Sequence, residues 1–217
     1  MMTSSAHRIG AFACAVTALG LAVASFAMFV TSYPGQAADD AAMKAWAARW
    51  GNEVPTTGWL GTHQLILLVV IGVVIGAACA WRRSTRLAAH AAAVILGAVL
   101  TAVFVKHGLD RPSFGVGTAN NSFPSNTVAA FVAAGIALVV VLPNRFRTVA
   151  AVGATVGSVA VSAAVVALQW HRPSDVIGGW LIAIAAAAAA ECLVPVRGRR
   201  VAVHQTNPGT RLHTVRS

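Results

Sequence analysis

Apolar residues along this chain come in long blocks separated by short polar punctuation. Six windows approach the roughly 20 mostly apolar residues that a membrane-crossing helix needs. They run Ile9 to Val30, Leu60 to Trp81, Leu87 to Val105, Ser125 to Leu142, Thr148 to Gln169 and Pro173 to Val196. The pattern predicts an all-α, polytopic membrane protein, a six-transmembrane helix bundle with both termini on one side. Residues 1–59 then hold the first helix and an outer loop, 60–196 the main bundle, and 197–217 a basic, disordered tail.

Composition narrows the class. Of 217 residues 57% are hydrophobic and 10% charged, against about 25% charged in an ordinary soluble domain. A water-soluble globule and a disordered chain are both excluded. The net charge of +10 raises the question of nucleic acid until the charges are placed on the spans. Arg8, Arg82, Arg83, Arg86, Arg145, Arg147, Arg197, Arg199, Arg200, Arg211 and Arg216 fall on one side; Lys44, Arg49, Lys106, Arg111 and Arg172 fall on the other. The second group is offset by Asp39, Asp40, Glu53, Asp110 and Asp175, and only Glu191 lies at the other end. Such a bias is a topology signal that puts both termini in the cytoplasm of a plasma-membrane protein. No nucleic-acid partner is expected, and the tail after Val196 is suited to anionic lipid heads.

Three smaller features fit the same picture. The first apolar stretch is longer than the 7 to 15 residues of a signal-peptide core, so a retained helix is expected. Cys14, Cys79 and Cys192 stand far apart in apolar runs, with no metal or disulfide spacing. Gly72-x-x-x-Gly76, Gly153-x-x-x-Gly157 and the alanine run from Ala183 to Ala190 read as faces for close helix packing.

Ionisable groups at membrane depth are costly and mark functional sites. They concentrate in two outer segments: Lys106 to Phe114 with Asn120 to Thr127, and Trp170 to Gly179. Pro124 and Pro173 stand where helices begin, with serines beside them as candidate caps. Two helix N-termini therefore open on one face, where free N–H groups and the positive dipole end suit phosphate. Lys106, Arg111 and Arg172 add cations there, and guanidinium groups grip phosphate by paired hydrogen bonds. His171 and Asp175 are four apart. A carboxylate holding one imidazole nitrogen fixes the tautomer and frees the other nitrogen to attack or to take a proton.

These segments resemble the signature blocks of the type 2 phosphatidic acid phosphatase superfamily, the lipid phosphate phosphatases. The usual pattern is Lys followed by Arg-Pro, then Pro-Ser-Gly-His, then Ser-Arg, five residues, His, three residues and Asp. The resemblance implies that Lys106, Arg111 and Ser125 bind phosphate, with the neighbouring Asn126, Thr127 and Arg172 beside them. It implies that His171 attacks phosphorus to form a phosphohistidine and that Asp175 orients it. The implied activity is hydrolysis of lipid or polyprenyl phosphates and diphosphates at the outer face, with no metal or cofactor.

Two departures stand out. Asn126-Thr127 occupies the place of Gly-His, and Ala164-Val165 that of Ser-Arg. A general acid contributes about 100- to 10,000-fold. Three accounts follow: substitutes such as His63 or His107 for the acid and Arg172 for the clamp; a diphosphate substrate, whose leaving group needs less protonation; or a relative that binds or transports lipid phosphates without turnover. A haem bundle using pairs among His63, His90, His107 and His171 is a fourth, weaker reading.

Overall fold

A computed structural model of the chain describes residues 4–51, 57–117 and 120–196. Within them lie seven helices and no strand: α1 (Ser4–Phe29), α2 (Tyr33–Trp50), α3 (Thr57–Trp81), α4 (Thr85–Gly108), α5 (Asn126–Val141), α6 (Asn144–Ala167) and α7 (Pro173–Leu193). Each apolar window has become a helix, but the expected count of six is not what the structure shows. The stretch read as an outer loop contains α2. Ser32 caps it by accepting from the Gly35 N–H, and Pro34 sits in its first turn. The basic tail from 197 onward, Glu53 and the five tail arginines lie outside the described residues.

Five helices, α1, α3, α4, α6 and α7, are long and apolar enough to cross a membrane. They turn large apolar side chains outward, among them Leu65, Val69, Val73, Leu100, Phe104, Val149 and Val156. Exposed apolar surface on that scale belongs against lipid. The chain is a multi-pass membrane protein.

The sixth apolar helix, α5, has 16 residues, which at 1.5 Å each gives about 24 Å against a hydrocarbon core of about 30 Å. It need not match the bilayer, because α3, α4, α6 and α7 pack around it. Val128, Ala129, Ala133, Ala137 and Val141 along it are wholly buried. Small residues on its neighbours, Ala98 and Ala102 on α4 and Ala183 on α7, allow the backbones to come close. The alanine run thus packs as expected. The two Gly-x-x-x-Gly pairs do not: a Cβ added at Gly72, Gly76, Gly153 or Gly157 would meet nothing within 4 Å. Close approach occurs instead where Gly135 of α5 meets Ala154 of α6, and at Gly178-Gly179 of α7.

The ends of the bundle differ chemically. At one end His7 contacts Glu191 at 3.0 Å, Arg8 donates to the Cys192 carbonyl and Arg82 to that of Val141. His90 lies there too, its Nδ1 2.9 Å from the Val194 carbonyl oxygen. At the other end α1, α4 and α6 finish, and α2, α3, α5 and α7 begin.

Candidate functional site

The end where α2, α3, α5 and α7 start gathers the sequence-selected residues. Ser125 is the N-cap of α5, its hydroxyl oxygen accepting from the Val128 N–H. Pro124 stands one residue before that cap. The Ser125 N–H donates to the Asp175 carbonyl at 2.9 Å, which locks the first turns of α5 and α7 together. Gly178 and Gly179 make this possible. A Cβ at Gly178 would lie 2.5 Å from the buried Phe123 ring, and one at Gly179 would lie 2.8 Å from the Ser125 carbonyl oxygen.

In α7 Pro173 takes the first helical position, but Ser174 is not its cap. Asp175 reaches back instead, accepting from the Arg172 N–H at 2.9 Å. The same carboxylate oxygen faces Nδ1 of His171 at 3.4 Å, a long contact of the kind that tightens when a ligand is bound. Asp175 is fully buried and His171 partly so. With Nδ1 committed to Asp175, Nε2 is the nitrogen available for chemistry.

The cations surround this pair unequally. Arg172 is buried and already engaged, one guanidinium nitrogen donating to Ser122 Oγ at 3.2 Å and another 3.7 Å from Asp40. Lys106, at the end of α4, lies within electrostatic reach of Asp175. Arg111 is the most telling. It is 8% exposed, yet all three guanidinium nitrogens are buried without a hydrogen-bond partner. Burial and then the like charge of Arg172 lower its pKa, against the pull of Asp175, Asp39 and Asp40. A guanidinium does not deprotonate in proteins, so Arg111 stays a buried cation whose donors have no acceptor.

The positions that depart from the family pattern are built into packing. Thr127 donates its hydroxyl to Gln64 of α3 at 3.1 Å. Val165 is wholly buried, and its carbonyl accepts from the Trp170 and His171 N–H groups. Asn126 places Oδ1 in a buried spot with no partner. Of the histidines weighed as substitutes, His107 is exposed at the end of α4 and His63 is half-buried on α3. His90 lies at the opposite end, so it shares no level with His63, His107 or His171. No set of three metal-ligating side chains converges among the described residues.

Residues missed from sequence come mainly from α2. Gln36, Asp39 and Asp40 are buried there. Asp39 accepts from both the N–H and the hydroxyl of Ser174. Burial raises its pKa, opposed by those two bonds. Asp40 also holds Lys44 at 2.8 Å. The signal was present in the spacing, because Gln36, Asp39, Asp40 and Met43 follow the i, i+3, i+4, i+7 rhythm of one helix face. That rhythm is normally sought among apolar residues.

Residues 101–199 match the family model described as the PAP2 superfamily. No curated protein and no solved structure matches the chain significantly. The matched stretch takes in the end of α4 and all of α5, α6 and α7; α1, α2 and α3 precede it.

Proposed function

From the match of residues 101–199 to the PAP2 superfamily, a family of phosphatases, we propose that this protein hydrolyses lipid or polyprenyl phosphates and diphosphates at the outer membrane face through a phosphohistidine. The observation that carries the reading is the buried, unpartnered guanidinium of Arg111 beside the His171–Asp175 pair. A phosphoryl group there meets Arg111, Lys106 and the joined N-termini of α5 and α7, which together offset the charge on its oxygens.

Nε2 of His171 attacks phosphorus. The N–P bond forms as the bond to the leaving oxygen breaks, and that oxygen keeps the electron pair. Asp175 stabilises the positive charge gained by the ring through Nδ1–H. Water then attacks the phosphohistidine, releasing phosphate and restoring the imidazole. Thr127 stands where the family places a proton-donating histidine, and its hydroxyl is tied to Gln64. This favours leaving groups that depart without a proton, hence diphosphates before monoesters. The outer-face placement is supported by the charge bias, since the site lies opposite Arg8, Arg82, Arg83, Arg86, Arg145 and Arg147.

Phosphate release by purified protein from a panel of lipid mono- and diphosphates tests the reading. Wild type is expected to turn over diphosphates fastest and His171→Ala to release none. Equal turnover by the variant removes the mechanism. The packed Thr127 and Val165 favour a second reading, a binder or transporter of lipid phosphates; saturable binding with no release across the panel selects it.

A further inference from the structure

We infer that α2 is a brace for the reaction centre and that Asp39 is a positioning residue for the His171–Asp175 pair, an inference that rests on the phosphatase reading. α2 is inside-out. It buries Gln36, Asp39 and Asp40 while Tyr33, Trp46 and Trp50 remain exposed. Burying three polar side chains is costly unless each finds a partner.

The partners have one thing in common. Gln36 donates to the Pro112 carbonyl at 2.9 Å, and to that of Val30 at 2.7 Å. Asp39 accepts from Ser174 N–H at 3.0 Å and from its hydroxyl. Asp40 lies 3.7 Å from Arg172. Apart from the local contacts to Val30 and Lys44, each gripped residue is the chain neighbour of a site residue: Pro112 follows Arg111, Ser174 precedes Asp175, and Arg172 follows His171. One helix face thus holds the phosphate-binding half and the nucleophile half of the centre in register.

Asp39 is the strongest of the three contacts. The first N–H groups of a helix lack partners within it, and an arginine at the N-cap position has no acceptor to offer. Asp39 supplies the missing acceptor to α7 from another helix. Without it the first turn of α7 is free to fray, and the His171–Asp175 contact, already at 3.4 Å, lengthens.

The test uses the full chain in detergent with the substrate that wild type turns over best. For Asp39→Ala, kcat is expected to fall about 10- to 100-fold with KM within about threefold, the mark of a misplaced group and not of lost binding. Ser174→Ala lowers kcat less, because the backbone bond survives, and the double variant is no worse than Asp39→Ala. Asp39→Asn, which keeps an acceptor for the Ser174 N–H, recovers most of the lost kcat. Nitrogen NMR of labelled histidine, with the His171 signal assigned by its loss in His171→Gln, gives a readout independent of turnover. It is expected to report the Nδ1–H tautomer in wild type and a mixture in Asp39→Ala.

Wild-type kcat and tautomer in Asp39→Ala overturn the brace, as does wild-type behaviour of Ser174→Ala if Asp39→Ala does not fold. Failure of wild type to release phosphate defeats the phosphatase reading alone and leaves the tautomer comparison to decide the brace.

Discussion

At the scale of single residues, the side chain that matters most is the one with fewest bonds. Arg111 sits in a place that disfavours its charge, by burial first and by Arg172 second, and its guanidinium nitrogens donate to no acceptor. An unsatisfied buried polar group costs about 1 to 3 kcal/mol, more when charged. On the proposed function, a phosphate anion relieves that strain. Arg111→Met is therefore expected to raise the thermal midpoint in phosphate-free buffer while removing the stabilisation that added phosphate or vanadate gives wild type. Differential scanning fluorimetry in detergent reads both effects; a fall in the phosphate-free midpoint means the guanidinium is satisfied by something else.

Among elements, the decisive contact is between the first turns of α5 and α7. Two caps, two prolines and two glycines bring them together, and the glycines are required by distance. At Gly179 a Cβ would press on the Ser125 carbonyl oxygen at 2.8 Å, on Val128 Cβ at 3.1 Å and on the Ala129 nitrogen at 3.2 Å. Two of these atoms are backbone and cannot rotate away. Gly179→Ala is expected to cost about 1 to 3 kcal/mol by overpacking and to lower kcat, since it pushes the two N-termini apart. Gly72→Ala is the matching control. Nothing lies near its Cβ, and alanine in a helix interior is worth about 0.5 to 1 kcal/mol over glycine, so unfolding and phosphate-release assays should show no loss.

For the whole molecule the asymmetry of the ends fixes what can be asked of orientation. Arg82 and Arg147 both donate to the last carbonyls around the end of α5, where cations suit the negative end of the helix dipole. The site end carries its cations offset by Asp39, Asp40 and Asp175. In a cysteine-free background, a membrane-impermeant thiol reagent is expected to label Tyr33→Cys in intact cells and Asn144→Cys only after permeabilisation. The reverse pattern would put the site in the cytoplasm and remove the outer-face reading.

The sequence by itself was enough for the six apolar helices, the helix starts at Ser125 and Pro173, and the His171, Asp175, Arg111 and Lys106 set. The helices and their starts follow from local rules, block length and a proline beside a cap, and the four candidates from polar residues placed at membrane depth together with the family resemblance. Tertiary structure alone decided the rest. α2 was passed over because its rhythmic face is polar, and polar residues are acceptable inside only when partners far along the chain, such as Ser174 for Asp39, arrive to meet them. Which glycines permit close approach was likewise undecidable, since Gly72 and Gly179 differ only in what stands opposite them. The same holds for Arg111, whose charge was legible from the chain but whose lack of a partner is a property of every neighbour it does not have.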